Sequence, residues 1–125
     1  MTKRILVVED QEDNRRIIRD LLTSAGYELI EAQDGEAGVR LAKEHRPDLI
    51  LMDIQLPVLD GYEATRRIKA DPELRAIPIV VVTSYALSGD DQKAVAAGCD
   101  GYVAKPFSPR QLLATVRKFL DEPGG

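Results

Sequence analysis

Tryptophan is absent from this 125-residue chain and cysteine occurs once, as Cys99. A lone cysteine closes no internal disulfide, which removes the stapled secreted scaffolds and points to a reducing, cytoplasmic compartment. Histidine is also single, His45, so there is no Cys/His set of the kind that holds zinc. The longest apolar runs, such as Leu49–Met52 and Ile79–Val82, fall far short of the roughly 20 residues that cross a bilayer. The start, Thr2-Lys3-Arg4, leads directly into a β-like run, without the apolar segment and small-residue cleavage site of a signal peptide. Positive charge is in deficit: 17 Lys and Arg stand against 21 Asp and Glu, a net charge of −4. That balance argues against a nucleic-acid partner. The basic pairs Lys3-Arg4 and Arg15-Arg16 read as solvated faces. The chain also lacks the G-x-x-x-x-G-K-[ST] loop of nucleotide-binding enzymes.

What is present is a core-forming composition, 44% hydrophobic and 30% charged, on a length suited to one domain. Short apolar runs alternate with helical patterns. The runs are Ile5–Val8, Glu28–Glu31, Leu49–Met52, Ile79–Val82 and Gly101–Ala104. Three of them are almost uniformly apolar, as parallel strands covered on both faces require. Between them, Ile17, Ile18, Leu21 and Leu22 form a stripe at helical spacing, stopped at Gly26. Asp34 is placed to cap a second helix, which turns Leu41 and Ala42 inward and ends before Pro47. Tyr62, Thr65 and Ile68 mark a third after Asp60-Gly61. Ser88, Asp90 and Asp91 open a fourth that stops at Gly98. Ser108, Pro109 and Gln111 open a fifth with an S-x-x-Q capping box, and Leu112, Leu113, Val116, Phe119 and Leu120 are its buried face. This rhythm predicts an α/β domain of three layers, αβα, on a five-stranded parallel sheet of order 2-1-3-4-5 with right-handed crossovers.

Polar residues follow four of the five strands: Glu9-Asp10 the first, Asp53 the third, Thr83 the fourth and Lys105-Pro106 the fifth. A parallel sheet brings those carboxyl ends to one edge, and sites form there near the switch between strands 1 and 3. Glu9, Asp10 and Asp53 then make a three-carboxylate cluster. Two unit charges about 4 Å apart repel by roughly 4 kcal/mol at an effective dielectric near 20. Such a cluster raises a pKa, stays solvated or holds a cation. Hard oxygen ligands with coordination positions left for water favour Mg²⁺, and Asp10–Asn14 lacks the ligand spacing of a calcium loop. With Lys105 alone the site stays net negative and repels phosphate; a divalent cation neutralises it. Asp53 is then a competent nucleophile toward a phosphoryl group, Lys105 can pair with one phosphoryl oxygen and the Thr83 hydroxyl can bond another.

Val8-Glu9-Asp10, Leu51-Met52-Asp53-Ile54-Gln55-Leu56-Pro57, Asp60-Gly61, Val82-Thr83-Ser84 and Ala104-Lys105-Pro106-Phe107 follow one another in this order along the chain. On these motifs, and over essentially its whole length, the chain resembles the receiver (CheY-like) domains of bacterial response regulators, and among them the stand-alone regulators of the DivK type. The resemblance implies a single receiver domain over 1–125 with no output domain. It implies a phosphoacceptor, not an enzyme in its own right: Asp53 takes a phosphoryl group from phosphohistidine on a sensor histidine kinase or histidine phosphotransfer protein. Mg²⁺ would be held by Asp10, Asp53 and the Gln55 backbone carbonyl, with Glu9 acting through water. Lys105, with a cis bond to Pro106, would bind the phosphoryl group, and Thr83 and Tyr102 match the family's switch pair. The responding surface would comprise Ser84–Ala97, Tyr102 and Pro106–Val116, offered to a downstream protein target. Tyr85, beside the expected water path, implies slow self-dephosphorylation.

Other functions on this architecture fit less well. A flavodoxin needs a Ser/Thr/Gly-rich phosphate loop where this chain has Glu9-Asp10-Gln11-Glu12-Asp13, which repels an anion. A haloacid-dehalogenase-type phosphatase needs a second aspartate two residues after its nucleophile, where Glu12 or Gln55 stands here. The remaining alternative is a binding module that keeps the receiver fold and works without phosphorylation.

Overall fold

The computed structural model describes residues 2–83, 96–105 and 107–120, with Thr83 described through its backbone. Five strands, β1 (Arg4–Val8), β2 (Glu28–Ala32), β3 (Leu49–Asp53), β4 (Ile79–Thr83) and β5 (Gly101–Ala104), alternate with helices α1 (Glu12–Ser24), α2 (Gly35–His45), α3 (Gly61–Ala70) and α4 (Pro109–Leu120). All strand pairs are parallel and the order is β2-β1-β3-β4-β5, as expected. The helix expected from Ser88 to Gly98 falls mostly outside the described residues; Ala96 and Ala97 are helical, and its stop, Gly98, has φ +101.

The strand side chains divide by parity, because successive residues point to opposite faces. Leu6, Val8, Ile50, Met52, Ile79 and Val81 join Ala42, Ala64 and Ile68 of α2 and α3 on one side. Ile5, Val7, Leu49, Leu51, Val80 and Val103 join Ile18, Leu22, Leu112 and Val116 of α1 and α4 on the other. Each of the Val, Leu, Ile and Met side chains among these contributes about 1.5–3 kcal/mol by leaving water, so the sheet is held from both faces and its carboxyl edge is a stable platform.

Local chemistry sets the helix ends. The Asp34 side chain accepts the Ala37 N–H at 2.7 Å, that of Asp60 accepts the Glu63 N–H at 2.9 Å, and Ser108 Oγ accepts the Gln111 N–H at 3.0 Å, satisfying donors that a helix start leaves open. Gly26, with φ +97, follows the C-cap of α1. One expectation needs correction. The buried face of α1 is Arg15, Ile18 and Leu22, whereas Ile17 is 54% exposed. Ile18 and Leu22 are buried and Leu21 packs against the same core as expected, so the inward face is extended toward Arg15 at the expense of Ile17, and Arg15 is not on a solvated face.

Candidate functional site

The carboxyl edge collects the charged residues at the strand ends. Asp53 closes β3 and is only 6% exposed; Glu9, directly after β1, is buried as well. Asp10 follows it, and Gln11 Nε2 donates to the Asp10 carboxylate at 3.4 Å. Carboxylate oxygens of Glu9, Asp10 and Asp53 all lie within 4.8 Å of one another. Lys105 reaches in from the end of β5: its Nζ stands 3.4 Å from Glu9 Oε2 and 3.3 Å from Asp53 Oδ2. Asp53 Oδ1 accepts the Ile54 N–H at 2.7 Å, which orients the carboxylate. Glu9 Oε1 accepts from the Gln11 N–H and the Asn14 side chain, each at 3.2 Å.

Burial removes solvation as the means of relieving repulsion in this cluster, so the proton balance changes. Burial, then the neighbouring Glu9, pushes Asp53 up to about 7, with Lys105 pulling the other way. Burial also opposes ionisation of Glu9, but Asp53, Lys105, Asn14 and Gln11 together outweigh it and hold Glu9 below the usual carboxylate range. Glu9 has more donors, so the charge resides there and Asp53 carries the proton more readily. A cation placed among the oxygens reverses that preference, because it favours ionised carboxylates and displaces the proton. The donor set, three hard oxygens with one side open to water, fits a small divalent cation such as Mg²⁺.

The loop after β3 shapes the rim. Gly61 allows α3 to begin against the strand end, since a Cβ there would collide with the Asp53 carbonyl. Gln55 lies in this loop, where Leu56 N–H donates to the Ile54 carbonyl at 3.0 Å. Val58 is 75% exposed with φ +69, a left-handed conformation rare for a β-branched residue. On β5, Tyr102 pairs with Val81 and is 46% exposed. The backbone of Thr83 pairs with Ala104, while the Thr83 side chain, Ser84, Tyr85 and Pro106 lie outside the described part.

The sequence reading brought Glu9, Asp10, Asp53 and Lys105 to this edge, and the structure places them together. It did not single out Asn14 or Arg15. The signal for Arg15 was present: it stands three residues before Ile18 and seven before Leu22, on the helical stripe that packs inward.

Comparisons with known proteins agree with the geometry. The family model described as the response regulator receiver domain matches residues 5–117. The polar-differentiation response regulator DivK of Brucella ovis is 44% identical over 122 residues, covering 98% of this chain and 99% of that protein; its counterpart in Brucella anthropi is equally similar. Among solved structures, the receiver domain of a sensor histidine kinase from Pseudomonas aeruginosa superposes with a TM-score of 0.91 at 41% identity, covering 98% of this chain and all of that one, and was crystallised with a magnesium ion coordinated in its active-site cleft. Chemotaxis protein CheY4 of Vibrio cholerae superposes with a TM-score of 0.90 at 30% identity, covering 96% of this chain and 100% of that chain. An acidic cluster at the carboxyl edge, a lysine bridging two of its members and a match from β1 into the last helix thus coincide, and the chain belongs to the response regulator receiver domain family of two-component signalling.

Proposed function

We propose that this receiver is a phosphorylation-controlled switch with Asp53 as its acceptor. The observation that carries this reading is the position of Lys105 Nζ, 3.3 Å from Asp53 Oδ2 and 3.4 Å from Glu9 Oε2. One cation thereby faces the nucleophile and the site of the incoming charge. An Asp53 oxygen attacks phosphorus, the O–P bond forms, and the N–P bond to the donor histidine breaks with its electron pair leaving on the ring nitrogen. Lys105 then pairs with a phosphoryl oxygen in place of Asp53. Asp10, Asp53 and the Gln55 backbone carbonyl would hold Mg²⁺, with Glu9 acting through water, and the ion would supply the charge neutralisation that the carboxylates need beside a phosphoryl group.

The donor is phosphohistidine on a sensor histidine kinase or phosphotransfer protein in the cytoplasm, and the chain acts as acceptor rather than as an enzyme on an outside substrate. Phosphorylation draws Thr83 and Tyr102 inward and alters the surface around Tyr102 and α4 for a downstream protein. Moving a population from 1:99 to 99:1 takes roughly 5.5 kcal/mol, so two new phosphoryl contacts give a partial shift that the partner completes. Tyr85 slows self-dephosphorylation, leaving a phospho-state that lasts minutes or longer.

The test is incubation with Mg²⁺ and either a small acyl phosphate or a phosphorylated phosphotransfer protein. Expected is a single hydroxylamine-labile phosphoryl adduct on wild type that is absent from Asp53→Asn. No adduct under any donor would make the chain a phosphorylation-independent binding module.

A further inference from the structure

Arg15 is a charged side chain placed where packing asks for an apolar one. It lies on the inward face of α1 with Ile18 and Leu22 and is 9% exposed. Charged groups are buried at a cost unless paired and hydrogen-bonded, and Arg15 is both. Its Nη1 donates to the backbone carbonyl of Glu9 at 2.9 Å, and its Nε lies 3.4 Å from Glu31 Oε1. Glu31 in turn accepts two bonds from Arg19, each 2.7 Å. The Glu9 N–H donates to the Ala32 carbonyl at 3.0 Å. Both backbone groups of Glu9 are therefore tied to the α1–β2 side of the molecule, while its side chain faces Lys105 and Asn14.

We propose that Arg15 is a positioning residue for the acidic site: by clamping the Glu9 carbonyl it fixes the turn that presents Glu9 and Asp10 to a divalent cation. Glu31 orients the guanidinium, and Arg19 braces Glu31 from the solvent side. A lysine in this place cannot reproduce the arrangement, since only the planar guanidinium offers two donors at a fixed angle to two acceptors. The inference rests on the functional reading above, because it concerns the same cation site.

The test combines Mg²⁺ titration followed by amide NMR with thermal unfolding, on wild type, Arg15→Met, Arg15→Lys and Arg19→Met. Residues that orient ligands from behind typically change metal affinity by 10–100-fold. Arg15→Met is expected to weaken Mg²⁺ binding at least tenfold, with phosphorylation by a small acyl phosphate recovering at saturating Mg²⁺. Arg15→Lys, which stays folded if Arg15→Met does not, is expected to fall between. Arg19→Met is expected to lower the melting temperature while leaving Mg²⁺ affinity within about twofold. Arginine-15 variants that lose stability but bind Mg²⁺ as tightly as wild type would overturn the inference and leave the functional reading standing. Wild type that binds no Mg²⁺ would overturn both.

Discussion

Two groups of charged residues sit on either side of the end of β1, and they solve the same problem in opposite ways. At the carboxyl edge, where Asp10 also lies, Glu9 and Asp53 share one ammonium among the described residues, that of Lys105, and Asp53 is pushed up to about 7 by burial and by Glu9. Behind the strand, Glu31 faces two guanidiniums, and its bonds to Arg19 hold it below the usual carboxylate range despite partial burial. One cluster has too few cations for its carboxylates, and the other is saturated. The difference teaches where the molecule keeps its reactivity. Among the described residues, unrelieved repulsion is retained at the edge where a divalent cation can relieve it.

Substitutions can break this contrast, and their effects are expected to decline in the following order. Asp53→Asn removes the nucleophile, so the hydroxylamine-labile adduct is expected to vanish entirely by mass spectrometry. Lys105→Ala is expected to slow phosphoryl transfer by about 10²–10³-fold, the usual cost of losing a charge-stabilising donor, while Mg²⁺ binding persists. The same isosteric change then gives opposite signs in the two clusters. In metal-free protein at pH 8, Asp53→Asn is expected to stabilise by about 2 kcal/mol because it removes a repelled buried charge. Glu31→Gln is expected to destabilise by about 1–2 kcal/mol, because it leaves Arg15 buried with a weakened partner. Denaturant unfolding of both variants measures the pair.

The pH dependence sharpens the same point. A carboxyl raised from 3.8 to about 7 in the folded protein binds more protons folded than unfolded between those values. Its contribution to stability is therefore present below pH 3.8 and is lost as pH rises through about 7. Metal-free wild type is expected to lose stability from pH 5 to pH 8 relative to Asp53→Asn, and Mg²⁺ is expected to remove the difference. The smallest effect concerns the loop after β3. Val58→Asn relieves a left-handed backbone that asparagine tolerates, and is expected to stabilise by about 1 kcal/mol in the same unfolding measurement.

The fold was legible because several of its strands are apolar runs and three of its described helices begin at side-chain caps. Strand order, parallel sense and the capping roles of Asp34 and Ser108 agree with the structure, which adds a cap at Asp60 that was read only as a turn. Strand limits were short by one residue at several ends, since Arg4, Asp53 and Thr83 are polar residues that complete ladders. Ile18, Leu21 and Leu22 turn inward as expected, and only Ile17 does not, because Ile17 and Ile18 are adjacent and equally apolar and packing decides which of them turns inward. The charged members of the site were legible from their position after β1, β3 and β5. Their coupling was not, because the burial of Glu9 and Asp53 and the approach of Lys105 depend on side-chain geometry between elements far apart in the chain. Arg15 was missed for a related reason: charge suggests solvent, and its acceptors, the Glu9 carbonyl and Glu31, become apparent only once α1 is docked on the sheet.

Amide NMR of wild type and Asp53→Asn with Mg²⁺ and beryllofluoride, a phosphoryl mimic, tests the central claim most directly. The account predicts saturable, Mg²⁺-dependent shifts at Asp53, Thr83, Tyr102 and Lys105 in wild type and none in the variant. Wild-type spectra that stay unchanged with both Mg²⁺ and beryllofluoride present would contradict it.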